Sequence, residues 1–521
     1  MTRAAGLARA AGGFVALVLA LTPRTSRADG PHPLSLADAI QTALASDADL
    51  YMAREDALAA EDGIALARAP FSSHRLFGEA AAAREDLPPS VRSYGASDRT
   101  LATSIGIAGA LETGLTYQLS AGLARQSRED RLNAFYRPAT TLTVRGELIQ
   151  PLLRGAFSAA RRPIVVASRR RDQREQELRA RIERTVGAVE VAYWNLVRAH
   201  SERDARASAL ELAKEQVEES KRLARLGSSA ELDIVEAESG ASRLSQELLR
   251  AEQAVVEADG LLFATMGVRT GDAGWRGGGP IDPTDKPQLE PRTLEVDAQL
   301  ALARARRADV LAAQGQTAAE QAQLGVAEDR TRPALDIVAR VGTAGFGGVL
   351  VPTADPSFRN PVYEGGLSTA LQNTLGQDLQ FYVGLRFEVA LGDDEAQARH
   401  AIQRRTVSRA QLAERQTLAQ IETEVRMLIT RVELAVRLIE AAENAIAIAD
   451  KLLEGTRKRF RAGARTSFDV LRVTEELTRA RVEAARARAD YRVALTRLDT
   501  ATGTLLDQFN ITLKSLGATP R

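Results

Sequence analysis

The sequence predicts an α+β fold, mostly α, in which one pattern is written twice. Three observations predict it. Two stretches with heptad-like apolar spacing run without a proline from about 164 to 225 and from about 393 to 461. Each follows segments whose apolar residues alternate every second position. Near the far end of each long stretch stands a related phrase, "LARLGSSAELDIV" (223–235) and "RFRAGARTSFDVL" (459–471). In both, a glycine is followed six residues later by an aspartate and then two branched aliphatics.

The chain begins with an export signal. Arg3 and Arg9 supply positive charge, Phe14 to Leu21 is a short apolar run, and Ser26-Arg27-Ala28 is a small-x-small cleavage site. The run is well short of the ~18–20 residues a spanning helix needs. Residues 1–28 therefore read as a signal peptide, with the mature protein starting near Asp29. No later segment is apolar enough to span as a helix, so the exported chain is soluble or enters a membrane as a β-barrel.

Short helices open each half. Ser35 and Asp38 have capping-box character, and Leu36, Ile40 and Leu44 follow on one face. "DADLYMAREDALAAEDGIALARAPF" ends at Pro70 and "RADVLAAQGQTAAEQAQLGVAEDRTRPAL" ends at Pro333, so each proline stops a helix before strand-like sequence. Strands come next. "LATSIGIAGALETGLTYQLSAGL" reads as a hairpin turning at Glu112-Thr113-Gly114. In "TLTVRGELIQ", Leu142, Val144 and Leu148 oppose Thr143, Arg145 and Glu147. "ALDIVARVG" sets Leu335, Ile337, Ala339 and Val341 against Asp336 and Arg340. In "FYVGLRFEVAL", Phe381 through Leu391 alternate with Tyr382, Arg386 and Glu388 over about eleven residues, the length that crosses a bilayer when tilted. An apolar face beside a charged face suits a lipid-and-lumen strand and equally a small soluble sheet.

The rods follow. Ile421, Val425, Leu428, Val432, Ala435, Ile439, Ala442, Ile446, Ala449 and Leu453 step 4-3-4-3 without a break, a seam whose alanines let helices approach closely. Leu178, Ile182, Val186, Val189, Tyr193 and Leu196 keep nearly the same rhythm. At 1.5 Å per residue each rod is roughly 100 Å long. Independent helices have no reason to match in length; two halves of a repeat that span one distance do. Gly227 and Gly463 stand at the rod ends as turn residues, with Ser229 and Thr466 as caps for the helices that restart. The chain thus divides into a first repeat (29–270), a Gly/Pro-rich linker (271–294), a second repeat (295–513) and a tail (514–521).

At this point the pattern resembles the TolC-like outer membrane efflux protein family. The resemblance rests on the two glycine-to-aspartate tips, on "QPLLRG" (150–155), on "AYWNLV" (192–197) and on "ATGTLLDQFNITL" (501–513). It implies a homotrimer whose strands close one barrel in the outer membrane of a Gram-negative cell, continuous with a long periplasmic helical barrel. It also implies partners: outer-membrane lipid, a periplasmic adaptor (membrane fusion) protein at the tips and an inner-membrane pump. Four strands cannot close a barrel alone, since small barrels need about eight, and three copies solve that. The first half holds extra strand-like sequence between Phe71 and Pro138, which adds to the barrel or decorates a loop.

The family carries an acidic ring and a helix-tying arginine at the second tip. Carried onto this chain, the ring residue is Asp469, the arginine is Arg465 and the aromatic before the glycine is Phe460; Asp233 is the counterpart on the first tip. Arg472 stands where better-known members carry a second acid, so the implied collar is mixed, and Phe460 lacks a tyrosine's hydroxyl. Gly227 and Gly463 are the expected adaptor contacts. Asp469 and Asp233 equally suit a capping role, where a carboxylate favours the helix N-terminus.

Other chemistry is hard to place. Lys and Arg number 69 against 68 Asp and Glu, a net charge of +1, so the basic footprint of a nucleic-acid binder is missing. Cysteine is absent, which removes disulfides, thiolate zinc sites and thiol nucleophiles. His32, His74, His200 and His400 show no ligand spacing, no GxxxxGK[ST] loop occurs, and Asp393, Asp394 and Glu395 sit where a negative charge suits a helix start. No enzyme, cofactor or metal site is expected. The reading is a passive outer-membrane channel of a tripartite efflux or type I secretion system; the rival is an exported periplasmic coiled-coil scaffold without a pore.

Overall fold

The computed structural model describes residues 32–87, 96–129, 136–225, 231–268, 280–289, 292–351, 360–374, 376, 378–392 and 394–512. The expected signal peptide, the tail, part of the linker (271–279 and 290–291), Asp393 and the Gly227 turn with Ser229 lie outside them. The chain opens with β1 (His32–Leu34), α1 (Leu36–Ser46) and α2 (Ala48–Ser72). Then come β2 (Arg75–Leu87), β3 (Ala96–Ala110), β4 (Thr116–Glu129), β5 (Tyr136–Pro151), α3 (Arg162–Arg225) and α4 (Glu231–Met266). The second half holds β6 (Ile281–Pro283), α5 (Val296–Arg306), α6 (Ala308–Arg330), β7 (Ala334–Leu350) and α7 (Leu367–Thr374). It ends with β8 (Leu379–Glu388), α8 (Asp394–Arg461), α9 (Ser467–Thr502) and α10 (Leu505–Gln508).

The strands form one six-stranded antiparallel sheet in the order β2-β3-β4-β5-β7-β8. The sequence left open what the extra strand-like stretch between Phe71 and Pro138 forms. The extra sequence of the first half is two further strands of the same sheet, β2 and β3, paired over their full length from Arg75↔Ala108 to Leu87↔Ala96. The final strand is shorter than its alternation suggested: it ends at Glu388, and Val389 and Leu391 lie beyond it. Pro70 sits inside α2, two residues before its end. The alternation itself survives pairing. Leu76, Ile107, Leu119, Gly146, Val341 and Phe381 follow one another across the six strands on one face. The opposite face carries Glu79, Arg145, Glu147, Arg340 and Arg386, with Arg340 bonded to Glu147 at 2.8 Å. The Phe77 ring lies on that face across Gly106, where a Cβ would meet its Cζ at 2.4 Å. Gly106 is thus the residue that leaves room for the Phe77 ring.

Apart from α7, which follows β7 at the other end and packs on β7 and β5, the helices stand at one end of the sheet. α3 has 64 residues and α8 has 68, about 100 Å each; α4 and α9 have 36 each and return along them. Near the sheet the helices pack in a row α2-α3-α6-α8, and farther away the row is α4-α3-α9-α8. Four helices therefore stand side by side at both heights. Two apolar cores belt the rods at mid-height. One gathers Ile40, Ile182, Tyr193, Leu196 and Leu505. The other gathers Leu300, Val425, Ile439, Tyr491 and Leu498. The linker contributes here: β6 pairs in parallel with β1, and the Tyr193 hydroxyl, with one proton to donate, lies 2.7 Å from Asp285 Oδ2 and 3.0 Å from Leu34 O. Tyr193 lies within "AYWNLV", so that motif clasps the start of the chain and the linker to the first rod.

Candidate functional site

Among the described residues, the turn farthest from the sheet joins α8 to α9. Gly463 adopts φ +70°, the left-handed region. Ala464 N–H reaches back to Arg459 O at 2.9 Å and Gly463 N–H to Phe460 O at 2.9 Å, the paired bonds of a Schellman stop. A side chain at 463 would hold the backbone in a region L-residues disfavour. The next helix starts at once on a capping box. Thr466 Oγ1 accepts from the Asp469 N–H at 3.3 Å, and Asp469 Oδ2 accepts from the Thr466 N–H at 3.2 Å.

These local rules decide where the expected site residues fall. Asp469 is engaged by the helix start; the Thr466 N–H, with Arg465 and Arg472 adding positive charge, holds its carboxyl below the usual range. Arg465 lies 3.5 Å from Asp469. Arg472 is exposed one turn further on the same helix face. Asp469, Arg465 and Arg472 are therefore one charged patch. Phe460 is not part of that patch: it is 5% exposed and packs with Leu453, Val470 and Leu477 beneath the turn. Asp233 is the third residue of α4, as Asp469 is of α9, half-buried in the first turn. Gly227 lies outside the described residues.

Sequence reasoning missed what ties this turn to the first hairpin. Ser467 is fully buried, with Ser220 Oγ at 3.4 Å and Gln216 Nε2 at 3.5 Å. Leu212 and Leu223 of α3 pack against the Phe460 cluster. Arg457 faces Glu215 at 3.5 Å and Arg461 faces Glu219 at 4.0 Å, while Arg243 of α4 pairs with Glu475 of α9. A serine just after a cap reads as part of the cap, so nothing in the sequence marked Ser467 as a contact between hairpins. No group of three or more potential metal ligands occurs among the described residues, and no described helix is long and apolar enough to cross a membrane.

A sheet with one apolar and one charged face, carried on helices about 100 Å long, defines a class of strand-and-rod proteins. The comparisons agree with that class. Residues 300–504 match the family model for outer membrane efflux proteins. The chain is 27% identical over 241 residues to the outer membrane protein TolC of Escherichia coli (strain K12), covering 46% of this chain and 45% of that protein, so the match spans about half of the relative's length. The fold is like that of the Campylobacter jejuni CmeC outer membrane channel, with a TM-score of 0.61 at 14% identity over 90% of this chain and 86% of that one. It is also like that of the outer membrane protein VceC from Vibrio cholerae, with a TM-score of 0.60 at 17% identity over 90% and 96%. Over residues 300–504 the chain is thus similar to the outer membrane efflux proteins, and its whole fold is like that of outer membrane channels.

Proposed function

We propose that this chain is the outer membrane channel of a tripartite efflux or type I secretion system. Three copies form the conduit, built from the two repeats 29–270 and 295–513. The six-stranded sheet supplies its share of the outer-membrane barrel, and the rods line a passage through the periplasm. A periplasmic adaptor engages the tips at Gly227 and Gly463, and an inner-membrane pump supplies the energy. The patch of Asp469, Arg465 and Arg472, with Asp233 on the other hairpin, surrounds the entrance.

One observation carries this reading: the chain leaves matching sides unpaired at every height. On one side stand β2, α2 and α4; on the other stand β8 and α8. An open sheet edge is not tolerated in lipid, so copies must close on one another. The exposed side chains lie where such contacts would form. Met427, Leu434, Leu438, Ile448 and Leu452 make a second stripe on α8 beside its buried one, and Val235, Leu249 and Val256 lie on one seven-residue spacing of α4 that Ser242 interrupts. Phe381, at 83%, and Val383, at 72%, are the exposure expected of side chains meeting acyl chains. A pore-free scaffold gives no reason for a sheet of this size with its apolar face outward.

Fractionation tests the reading. The protein should remain in the outer membrane after a high-salt wash, run as a trimer and conduct ions in a planar bilayer. A salt-extractable monomer without conductance would overturn it.

A further inference from the structure

We infer that β2 and β3 belong to the transmembrane wall, so that three copies close an eighteen-stranded barrel in which β8 of one copy pairs with β2 of the next. This rests on the trimeric channel proposed above and specifies its bore.

The first argument is chemical. If the hairpin were decoration on a four-stranded segment, its faces would owe nothing to the other strands. Instead the apolar face runs on through it without a change of side. Leu76, Gly78, Ala80 and Ala82 of β2 pair with Ile107, Ile105, Thr103 and Leu101 of β3. Those residues are cross-strand partners of Leu119, Ala121, Leu123 and Arg125 on β4. Leu76 is 71% exposed, Leu101 55% and Ile105 58%. Glu79 and Glu85 fall on the charged face with Arg145 and Arg340.

The second argument is geometric. Strands ~4.8 Å apart and tilted by ~35–45° occupy about 35–41 Å of circumference when there are six, and about 23–27 Å when there are four. Four helices ~8–10 Å apart occupy about 32–40 Å. Six strands therefore match the four-helix row of the same chain, and the tube passes from β to α at one radius. Three copies give a barrel of radius about 18 Å. Four strands would leave the helical row overhanging the sheet.

The third argument is direction. α2 enters β2 and β8 leads toward α8, both at the helical end of the sheet. β8 of one copy and β2 of the next therefore run antiparallel, as closure of an even-stranded barrel requires. β4 has no edge to offer, because β3 and β5 already pair with it along its length.

Because the chain has no cysteine, introduced pairs report cleanly. Leu385→Cys on β8 is combined in turn with Leu76→Cys, Gly78→Cys or Ala80→Cys on β2, and in a second series with Leu119→Cys or Ala121→Cys on β4; all lie on the apolar face. Oxidation of the purified trimer should convert at least one β8–β2 combination to covalent trimer on a non-reducing gel, while β8–β4 combinations stay monomeric. The reverse pattern would overturn the proposal. Counting strands in a cryo-EM map of the unsubstituted trimer gives an independent reading: eighteen upholds it, twelve overturns it. If the protein is instead monomeric before oxidation, the channel reading itself has failed.

Discussion

The two long rods differ by only four residues, 64 against 68, yet their surfaces are unlike. α3 stands inside the helical row at both heights and buries side chains nearly all round between Leu178 and Ala199, including two acids, Glu183 and Glu190. α8 stands at the end of the row. It buries one stripe, Ile421 through Leu453, and leaves a parallel stripe exposed. Length is set by the distance both hairpins must cover, so it is duplicated. Burial is set by position in the row, so it is not. The strands are not shared equally either: the first half carries four and the second two.

If this comparison is right, the largest effects lie in α3. Leu196 is fully buried in the mid-height core. Leu196→Ala should cost about 2–5 kcal/mol, read as a loss of thermal stability of the folded chain. A change within 0.5 kcal/mol would mean that α3 is not the central rod. Glu183 comes next. Burial pushes its carboxyl up to about 7 from 4.5, against the pull of Arg179, with Asp309 adding to the rise and Arg307 opposing it. An acid whose folded value is raised stabilises the fold below the unfolded value, and that contribution is lost as pH climbs from about 4.5 through 7. The full swing is on the order of 3 kcal/mol. Glu183→Gln should flatten the fall in melting temperature between pH 5 and 8; an unchanged slope would place the titration elsewhere.

The exposed stripe of α8 should answer differently. Ile448 is 68% exposed on the isolated chain. Ile448→Ala should leave the fold of a copy nearly untouched while weakening association, by about 1–2 kcal/mol per contact if the side chain is covered there. Native mass spectrometry across a detergent dilution series measures this as a shift toward monomer. Equal trimer stability would remove this stripe from the contact between copies.

Much of this was legible in the sequence because each signal was local and periodic. The heptad of α8, the alternation of β5 and β8, and the glycine turn at 463 each follow from side-chain spacing or backbone freedom. What was not legible was non-local. The sequence from Phe71 to Pro138 had strand character, but its place in the sheet depends on pairing with β4, which no residue in it announces. "AYWNLV" carried the resemblance without explaining it; Tyr193 acts by bonding to Leu34 and Asp285, distant in the chain. At the tip, the sequence named the charged residues yet could not tell Phe460, buried under the turn, from Arg465, exposed upon it.

The smallest effects separate capping from gating at that tip. Thr466→Ala removes the acceptor for the Asp469 N–H and should cost about 1 kcal/mol, visible as faster hydrogen exchange over the first turn of α9. Arg465 should do less for stability, because its 3.5 Å pair with Asp469 is open to solvent and exposed pairs of this kind contribute little. Melting curves therefore cannot reveal its role, but conductance can. If Arg465 braces the closed entrance, Arg465→Ala raises single-channel conductance while the exchange rate of the α9 first turn stays as it was. If Arg465 only completes the cap, the exchange rate rises modestly and conductance does not change. Asp469→Asn supplies the control, since it keeps the shape of the cap and removes its charge: altered cation selectivity with slow exchange retained would assign the carboxylate to the passage as well as to the helix.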